Sequence, residues 1–470
     1  MASDEELDQE ARFSPKAFLR ARRPELFSDS AVGQSKALDR SILEYHLETL
    51  TKRSHETDFE HFARKLAERA ICPNLIPHTG PTGGGDSKVE TETFPVADSL
   101  ALTWYVGTGR ESAQERWAFA FSAKEDWQAK VKTDIKKIAE TKRGYRKAFF
   151  VSSRFIPDKL RARVEDELRK KHKLDVRIHD RSWILDRVFE GHHENLAIEE
   201  LRLSPSLRTS VRQGAQDLEG ERTLAEVEQR IVKAGEAERF GHQFVADCLE
   251  ACRLSRTLER PRTETDGRFV RAKTAAEKFG SDHQRLLVAY QEGWTNYWWH
   301  EDYGSFDRCY LEVEKIAVGT QNPYELELLH NLWTVSDATR RRGDLAISET
   351  EAKRRADILF RELDRLAKAE GRPSAVMQVR TLRLQSELYL HLCNGHSGQA
   401  NATLKKLKGV VRSCGVLVGF PLAPLVDILA ESAKVLGDLP AYDDLFETVV
   451  EVTRKRDGDI SAAQLLIQRG

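Results

Sequence analysis

The chain has 470 residues, 40% of them hydrophobic and 32% charged, and its 74 basic side chains nearly cancel 75 acidic ones to leave a formal net charge of -1. That length exceeds one ordinary core, so two or three domains are expected, and the composition is globular rather than disordered. The near-neutral balance excludes a whole-chain attraction to nucleic acid, so any such attraction has to come from local basic patches.

The six cysteines form no CxxC pair, which argues against both a zinc site and a disulfide framework and suits a reducing compartment. Cys248 and Cys252 stand four apart on an expected helix, where a buried apolar role outweighs a redox one. No stretch approaches the roughly 20 apolar residues that span a bilayer, and the acidic start Met1–Glu10 lacks the order of a signal peptide. The expectation is a cytoplasmic protein with no membrane partner.

Residues 1–50 are charged, weakly patterned and interrupted by Pro15 and Pro24, and they read as a loosely attached arm. The first firm element is a helix near Thr57–Ile71, with Phe59, Phe62, Leu66 and Ala70 at helical spacing, Thr57 and Glu60 placed for a capping box, and Pro73 as its stop. A turn-rich Thr79–Asp86 segment carries Gly83, Gly84 and Gly85, and the β-branched content of Ser87–Val96 predicts a strand. Trp117–Ser122 alternates large and small residues, the period of a strand with unlike faces: rings on one side, Ala118, Ala120, Ser122 and then Lys124 on the other.

Asp126–Glu140 predicts a helix with Trp127, Val131, Ile135 and Ile138 on its apolar stripe. A strand over Ala148–Ser152, a charged helix over Asp158–Lys171, a strand over Leu174–Ile178 and a helix over Ser182–Phe189 follow. This alternation predicts a mixed sheet with helices on its faces, as an α/β domain over 51–205. From 206 to 470 strand signals vanish and amphipathic segments succeed one another, at a pair period of about 35 to 45 residues that suits an all-α solenoid of tetratricopeptide-like repeats. Trp294, Tyr297, Trp298 and Trp299, followed by Gly304 and Phe306, read as the core of one helix pair rather than as a ligand box.

Chemistry concentrates in Gly83–Glu92 and Trp117–Lys124. Phosphodiester hydrolysis needs a hard cation such as Mg²⁺ or Mn²⁺, which selects carboxylate oxygens, and Asp86 with Glu90 or Glu92 offers them. Lys124, at the end of a neighbouring strand, can orient water or stabilise charge on the phosphorus. A phosphate-binding loop is rejected for Gly80–Lys88, because Asp86 stands directly after Gly85 where that motif demands lysine. Lys88, Lys130, Lys132, Lys136 and Lys137, continued by Lys142, Arg143, Arg146 and Lys147, are candidates for DNA phosphates, with a merely solvated helix face as the rival. Arg177, His179, Asp180 and Arg181 close the last strand as a polar cluster, with His179 in a structural role.

The order of these elements, with Gly84-Gly85-Asp86 and Glu90 in one half and Ser122-Ala123-Lys124 in the other, resembles the PD-(D/E)XK superfamily, and more closely its Mrr-like branch. It is also similar to nuclease modules fused to large antiviral ATPase sensors of bacteria. The resemblance implies a restriction-endonuclease-like fold, a metal-dependent DNA endonuclease, DNA as partner, and a place in defence against foreign DNA. It implies catalytic roles for Asp86, Glu90 and Lys124. Ser122 departs from the pattern, standing where the superfamily has Glu or Asp and the branch often Gln, and a neutral serine is a poor ligand. Metal would then be held through Asp86, the Ala123 carbonyl and a displaced acid drawn from Glu90, Glu92, Glu60 or Glu68. No GxxxxGK[ST] occurs, so the helical array is expected to provide control by binding a partner protein or by self-association. The competing reading is a non-catalytic scaffold on a degenerate nuclease fold.

Overall fold

The computed structural model describes residues 13–32, 37–76, 89–105, 110–208, 211–414, 417, 420, 422, 425–426, 429, 436–437 and 439–469. The chain divides into two compact units, Met1–Val288 and Ala289–Gly470.

The first unit opens with α1 (Pro15–Arg22), β1 (Ala31–Val32), α2 (Arg40–Thr49) and α3 (Glu56–Ala70). After β2 (Thr91–Glu92) and the single helical turn α4 (Asp98–Ala101) come β3 (Trp117–Ser122), α5 (Trp127–Glu140), β4 (Lys147–Ser152), α6 (Asp158–His172) and β5 (Asp175–His179). The helices α7 (Arg181–Glu190) and α8 (Glu194–Glu200), the short β6 (Val211–Arg212), and α9 (Ala215–Glu236), α10 (His242–Thr257) and α11 (Arg262–Phe279) complete it, and the units divide within α12 (Asp282–Trp298).

The central sheet runs β2-β3-β4-β5, with β2 antiparallel to β3 and the other pairs parallel. The alternation in β3 decides what lies on each face. Trp117, Phe119 and Phe121 fill a core with α2, α3, α7 and α8, while Ala118 and Ala120 lie against α5 and α6. Small residues on that second face let the stripe of Trp127, Val131, Ile135 and Ile138 approach closely.

Three local expectations differ from the structure. The regular ladder of the 87–96 segment covers Thr91 and Glu92, with one further bond from the Thr93 N–H to the Trp117 carbonyl and an isolated bridge between Leu75 and Thr93; Pro95 has no N–H to donate, and Ser87 and Lys88 lie outside the described residues. The capping box of Thr57 and Glu60 does not form, because α3 starts one residue sooner with His55 as its cap residue, and His55 Nδ1 is 2.6 Å from Asp58. The arm is anchored over its described part: Phe27 is buried, β1 pairs with β6, and Asp29 accepts the Gln216 and Asp217 amides, each at 3.0 Å, to cap α9.

The link between β2 and β3 reaches the helices that follow the sheet. Fully buried Arg271 of α11 donates to the Thr103 carbonyl at 2.9 Å and pairs with Glu228 of α9 at 2.6 Å. The guanidinium of Arg268 lies 3.8 Å from the Tyr105 ring centroid. Gly267 lets this happen: a Cβ there would fall 1.8 Å from the Tyr105 carbonyl oxygen. Cys248 and Cys252 are buried beside this network, and burial pushes the Cys248 thiol up to about 11, as an apolar packing role requires.

The second unit is helical throughout its described residues. It contains α13 (Tyr303–Ala317), α14 (Pro323–Arg341), α15 (Glu349–Leu366), α16 (Pro373–Cys393), α17 (Ser397–Cys414), α18 (Pro440–Asp457) and α19 (Asp459–Arg469). Successive helices pack on one another, and α14 also meets α16, the neighbour relation of stacked helix pairs. Tyr297 is buried against Tyr303 and Phe306, so the aromatic group is inter-helix core. No described helix is long and apolar enough to cross a membrane.

Candidate active site at the edge of the sheet

The sequence places its first candidate acid, Asp86, together with Gly83, Gly84, Gly85 and Lys88, outside the described residues. The site is therefore built from the other side, on β3. Ladder pairing with β2 stops at Thr91–Phe119 among the described residues. Two residues further along β3, the Phe121 N–H donates to the side-chain carboxylate of Glu90 instead of to a strand carbonyl. Glu90 thus plugs the edge of β3, immediately before the strand end that carries Ser122, Ala123 and Lys124.

Two helices bring further charges to this edge. α3 contributes Glu60, freed from the capping role by the earlier helix start. α5 contributes Asp134, buried at 5% exposure, with Lys130 one turn before it and 2.8 Å away. Although Glu90 keeps some surface, its carboxyl is enclosed. Burial, reinforced by the Glu60 and Asp134 carboxylates and opposed by the Phe121 N–H and Lys130, pushes Glu90 up to about 8. Burial likewise raises Glu60, with Lys130 opposing and Glu56 and Asp134 adding. Like charges driven together out of water at one edge form the kind of arrangement that a cation relieves.

Lys124 is exposed, its backbone N–H turned onto the Ser122 hydroxyl at 3.2 Å, and its ammonium has no ion-pair partner among the described residues. The Ala123 carbonyl, expected as a metal ligand, is already taken. It accepts from Thr51 Oγ1 at 2.9 Å and from Arg154 Nε and Nη2 at 3.1 and 2.9 Å. Arg154 also donates to the Glu48 carbonyl and to Thr51 Oγ1, so a guanidinium, rather than a metal ion, occupies the Ala123 carbonyl.

Two other candidate ligands are engaged elsewhere. Glu92 is bound by Arg116 at 3.2 Å, by Arg143 at 3.3 Å and by the Tyr145 hydroxyl. Glu68 is paired with Arg64 and lies two helical turns beyond Glu60, about 12 Å along the axis. Among the described residues, no group of three His, Cys, Asp or Glu side chains is disposed to hold a metal ion. What the structure brings together is the Glu60–Glu90 pair, with Asp134 and Lys130 behind it.

The lysines of α5 separate by role. Lys130 turns inward to Asp134, Lys132 pairs with Glu167 of α6 at 3.0 Å, and Lys136 lies 3.8 Å from Glu140. Lys137 is exposed and has no ion-pair partner among the described residues. At the far end of the sheet, His179 is stacked between Trp183, at 4.3 Å, and Phe149, at 5.9 Å, and burial pushes it down to about 3. It is a neutral packing group. Asp180 caps α7 through the Trp183 amide, and Arg181 lies 3.3 Å from Glu44.

No family model, no curated protein and no solved structure matches this chain. The reading of the site therefore rests on its own geometry. Asp134 and the Phe121 amide were missed as site groups. An acid four residues after Lys130 on the inner face of α5 was visible as a pattern, whereas the amide takes its role only from where β2 stops.

Proposed function

We propose that the chain is a metal-dependent DNA endonuclease with a restriction-endonuclease-like N-terminal domain, whose active site lies at the edge of β3 and whose helical region controls it. The observation that carries this reading is the enclosed Glu90 carboxyl on the Phe121 N–H, under the influence of Glu60 and ahead of the exposed Lys124, whose ammonium has no ion-pair partner among the described residues. Mutual repulsion between the two acids is relieved by a divalent cation as it is by a proton, so the ion would have to displace the proton that burial holds on Glu90; Glu60 and Glu90 would hold it, with Asp86, which lies outside the described residues, as the further acid that the sequence offers. Bound there, Mg²⁺ or Mn²⁺ would supply an activated water and neutralise charge on the phosphate.

The chain's own residues do the rest. Glu90 is fixed by a backbone donor rather than by a mobile side chain, which sets its position relative to the strand end. Lys124 projects into solvent where a phosphodiester can reach it, and its charge would stabilise the negative oxygens as the bond to phosphorus forms. Lys136 and Lys137, both exposed, would contribute contacts to the DNA backbone. Control would fall to α12–α19, through a partner protein or a second copy.

A second reading, a DNA- or protein-binding scaffold without hydrolysis, is favoured by one observation: Arg154 on the Ala123 carbonyl removes one ligand of the expected set. Plasmid nicking decides between them. Cleavage with Mg²⁺ or Mn²⁺, silenced by EDTA and lost in Glu90→Gln and Lys124→Ala, supports the nuclease; folded wild-type protein that binds DNA without nicking it supports the scaffold.

A further inference from the structure

The carboxyl ends of β3, β4 and β5 meet the end of α2 at one corner of the sheet. The chain leaving β4 is fixed there on both sides of Phe155. The Arg154 carbonyl accepts the Arg181 N–H at 3.0 Å, and the Ile156 N–H donates to the Asp180 carboxylate at 3.2 Å. Pinned between these bonds, Phe155 is still 58% exposed. One exposed ring carries no argument by itself, so its surroundings decide. The Ser153 N–H donates to the Ser122 carbonyl at 3.2 Å and Arg154 holds the Ala123 carbonyl, which sets the residue after each, Phe155 and Lys124, side by side at the strand ends. Arg154 also ties in α2, through the Glu48 carbonyl at 3.0 Å and Thr51 Oγ1 at 2.8 Å. Three residues before Glu48 stands a second exposed ring, Tyr45 at 61%, with the Arg53 guanidinium 5.6 Å from its centroid. The nearby acids are matched: Glu44 and Glu48 lie 3.3 and 3.5 Å from Arg181, and Glu125 lies 3.9 Å from Arg154. Lys124 and Arg53 are exposed and have no acidic partner among the described residues.

We propose that Phe155 and Tyr45 are stacking platforms for unpaired bases, with Lys124 and Arg53 on the phosphates, so that the nucleic acid taken at this corner is single-stranded or locally opened. The proposal rests on the reading of DNA as partner, not on the hydrolytic step. Two rings, each accompanied by an uncompensated cation, match the two parts of a single strand: base faces stack on the rings while the charges follow the backbone. A closed duplex offers the charges its phosphates but keeps its base faces stacked on one another. The bonds on either side of Phe155 hold the platform in place before the strand arrives, so little order has to be gained on binding.

The test is the fluorescence anisotropy of a labelled single-stranded oligothymidylate on the full-length chain in EDTA, beside an abasic strand of equal length and the duplex with oligoadenylate. Wild type is expected to bind the oligothymidylate at least roughly tenfold more tightly than the abasic strand. Phe155→Ala and Tyr45→Ala should each weaken the oligothymidylate on the order of fivefold and leave the abasic strand unchanged, while Phe155→Trp, which keeps a ring, binds as wild type does. Lys124→Ala should weaken both single strands and lower their salt slope by about 0.7. Alanine variants that lose equally on both strands, or on neither, overturn the proposal. So does a duplex bound as tightly as the single strand with the same dependence on Phe155. If Phe155→Ala abolishes self-association in sedimentation while anisotropy is unchanged, the ring is a contact between copies and the proposal falls. Ring-dependent binding by a protein that never nicks plasmid with Mg²⁺ or Mn²⁺ supports the corner and overturns the nuclease reading. Nicking without ring-dependent binding overturns the corner alone.

Discussion

Replacing Glu90 by glutamine should make the protein more stable while making it inactive. Burial and neighbouring acids push the folded-state value from 4.5 up to about 8, so at pH 7 folding forces the carboxyl to take up a proton that it lacks when unfolded. The cost is about 1.36 kcal/mol for each pH unit between 4.5 and 7, roughly 3 kcal/mol. Glutamine avoids it and can still accept the Phe121 N–H through its amide oxygen. Its NH₂ group, placed among carboxylates, returns part of the gain, which leaves about 2 kcal/mol of net stabilisation. For a unit of 288 residues that is a rise of about 3 °C in Tm. Because the folded-state value is the higher one, the support from the protonated acid is complete below about pH 4.5 and is lost as pH rises through 8. The gap between variant and wild type should therefore be small at pH 4.5 and open steadily up to pH 8. Thermal melts across that range, in EDTA, provide the measurement. A variant less stable than wild type at pH 7, or a gap independent of pH, would refute the enclosed-acid reasoning. Added Mn²⁺ should then stabilise wild type and leave the variant unmoved.

Other perturbations test separate parts of the structure. Gly267→Ala gains about 1 kcal/mol of helix propensity, but its Cβ meets the Tyr105 carbonyl at 1.8 Å, and the clash wins: a net loss of about 1 to 2 kcal/mol in denaturant melts is expected. His179 stays neutral to about pH 3 when folded and titrates near 6.5 when unfolded, so acid costs stability as pH falls through that window. By pH 5 the loss is about 2 kcal/mol, and His179→Phe should remove that dependence, read as a flattened melting curve between pH 6.5 and 4. Lys136→Glu with Lys137→Glu should weaken DNA binding at low salt and lower the salt slope by about 2, with Mn²⁺ affinity unaffected.

The parts of the fold that the sequence disclosed are those where one face is apolar and the other is not. β3 was legible because rings alternate with alanines, and α5 because four large apolar residues share a stripe. α11 was invisible for the opposite reason: apart from Phe269 its buried face is made of Thr265, Arg268, Arg271 and small alanines, and the two arginines become interior residues only through Glu228 and the Tyr105 segment. The arm was misjudged because its anchoring is polar, through Asp29, Ser28 and Ser30 on the first turn of α9, almost 190 positions away. Among the candidate acids, spacing could not separate Glu90 from Glu92. The distinction comes from Arg116, Arg143 and Tyr145 claiming the second, and from a strand ladder that ends two residues early.

The carboxyl plug on β3 has a consequence unrelated to chemistry. An unclaimed N–H on the rim of a sheet is a template on which any extended segment can add itself, and repetition of that step builds fibres. Here the vacancy is filled by an acid that no incoming strand can displace without leaving a buried carboxyl unpartnered among its neighbours. The side chain that would serve turnover is also the gatekeeper against misassembly, and a variant chosen to silence the one would have to be checked for the other.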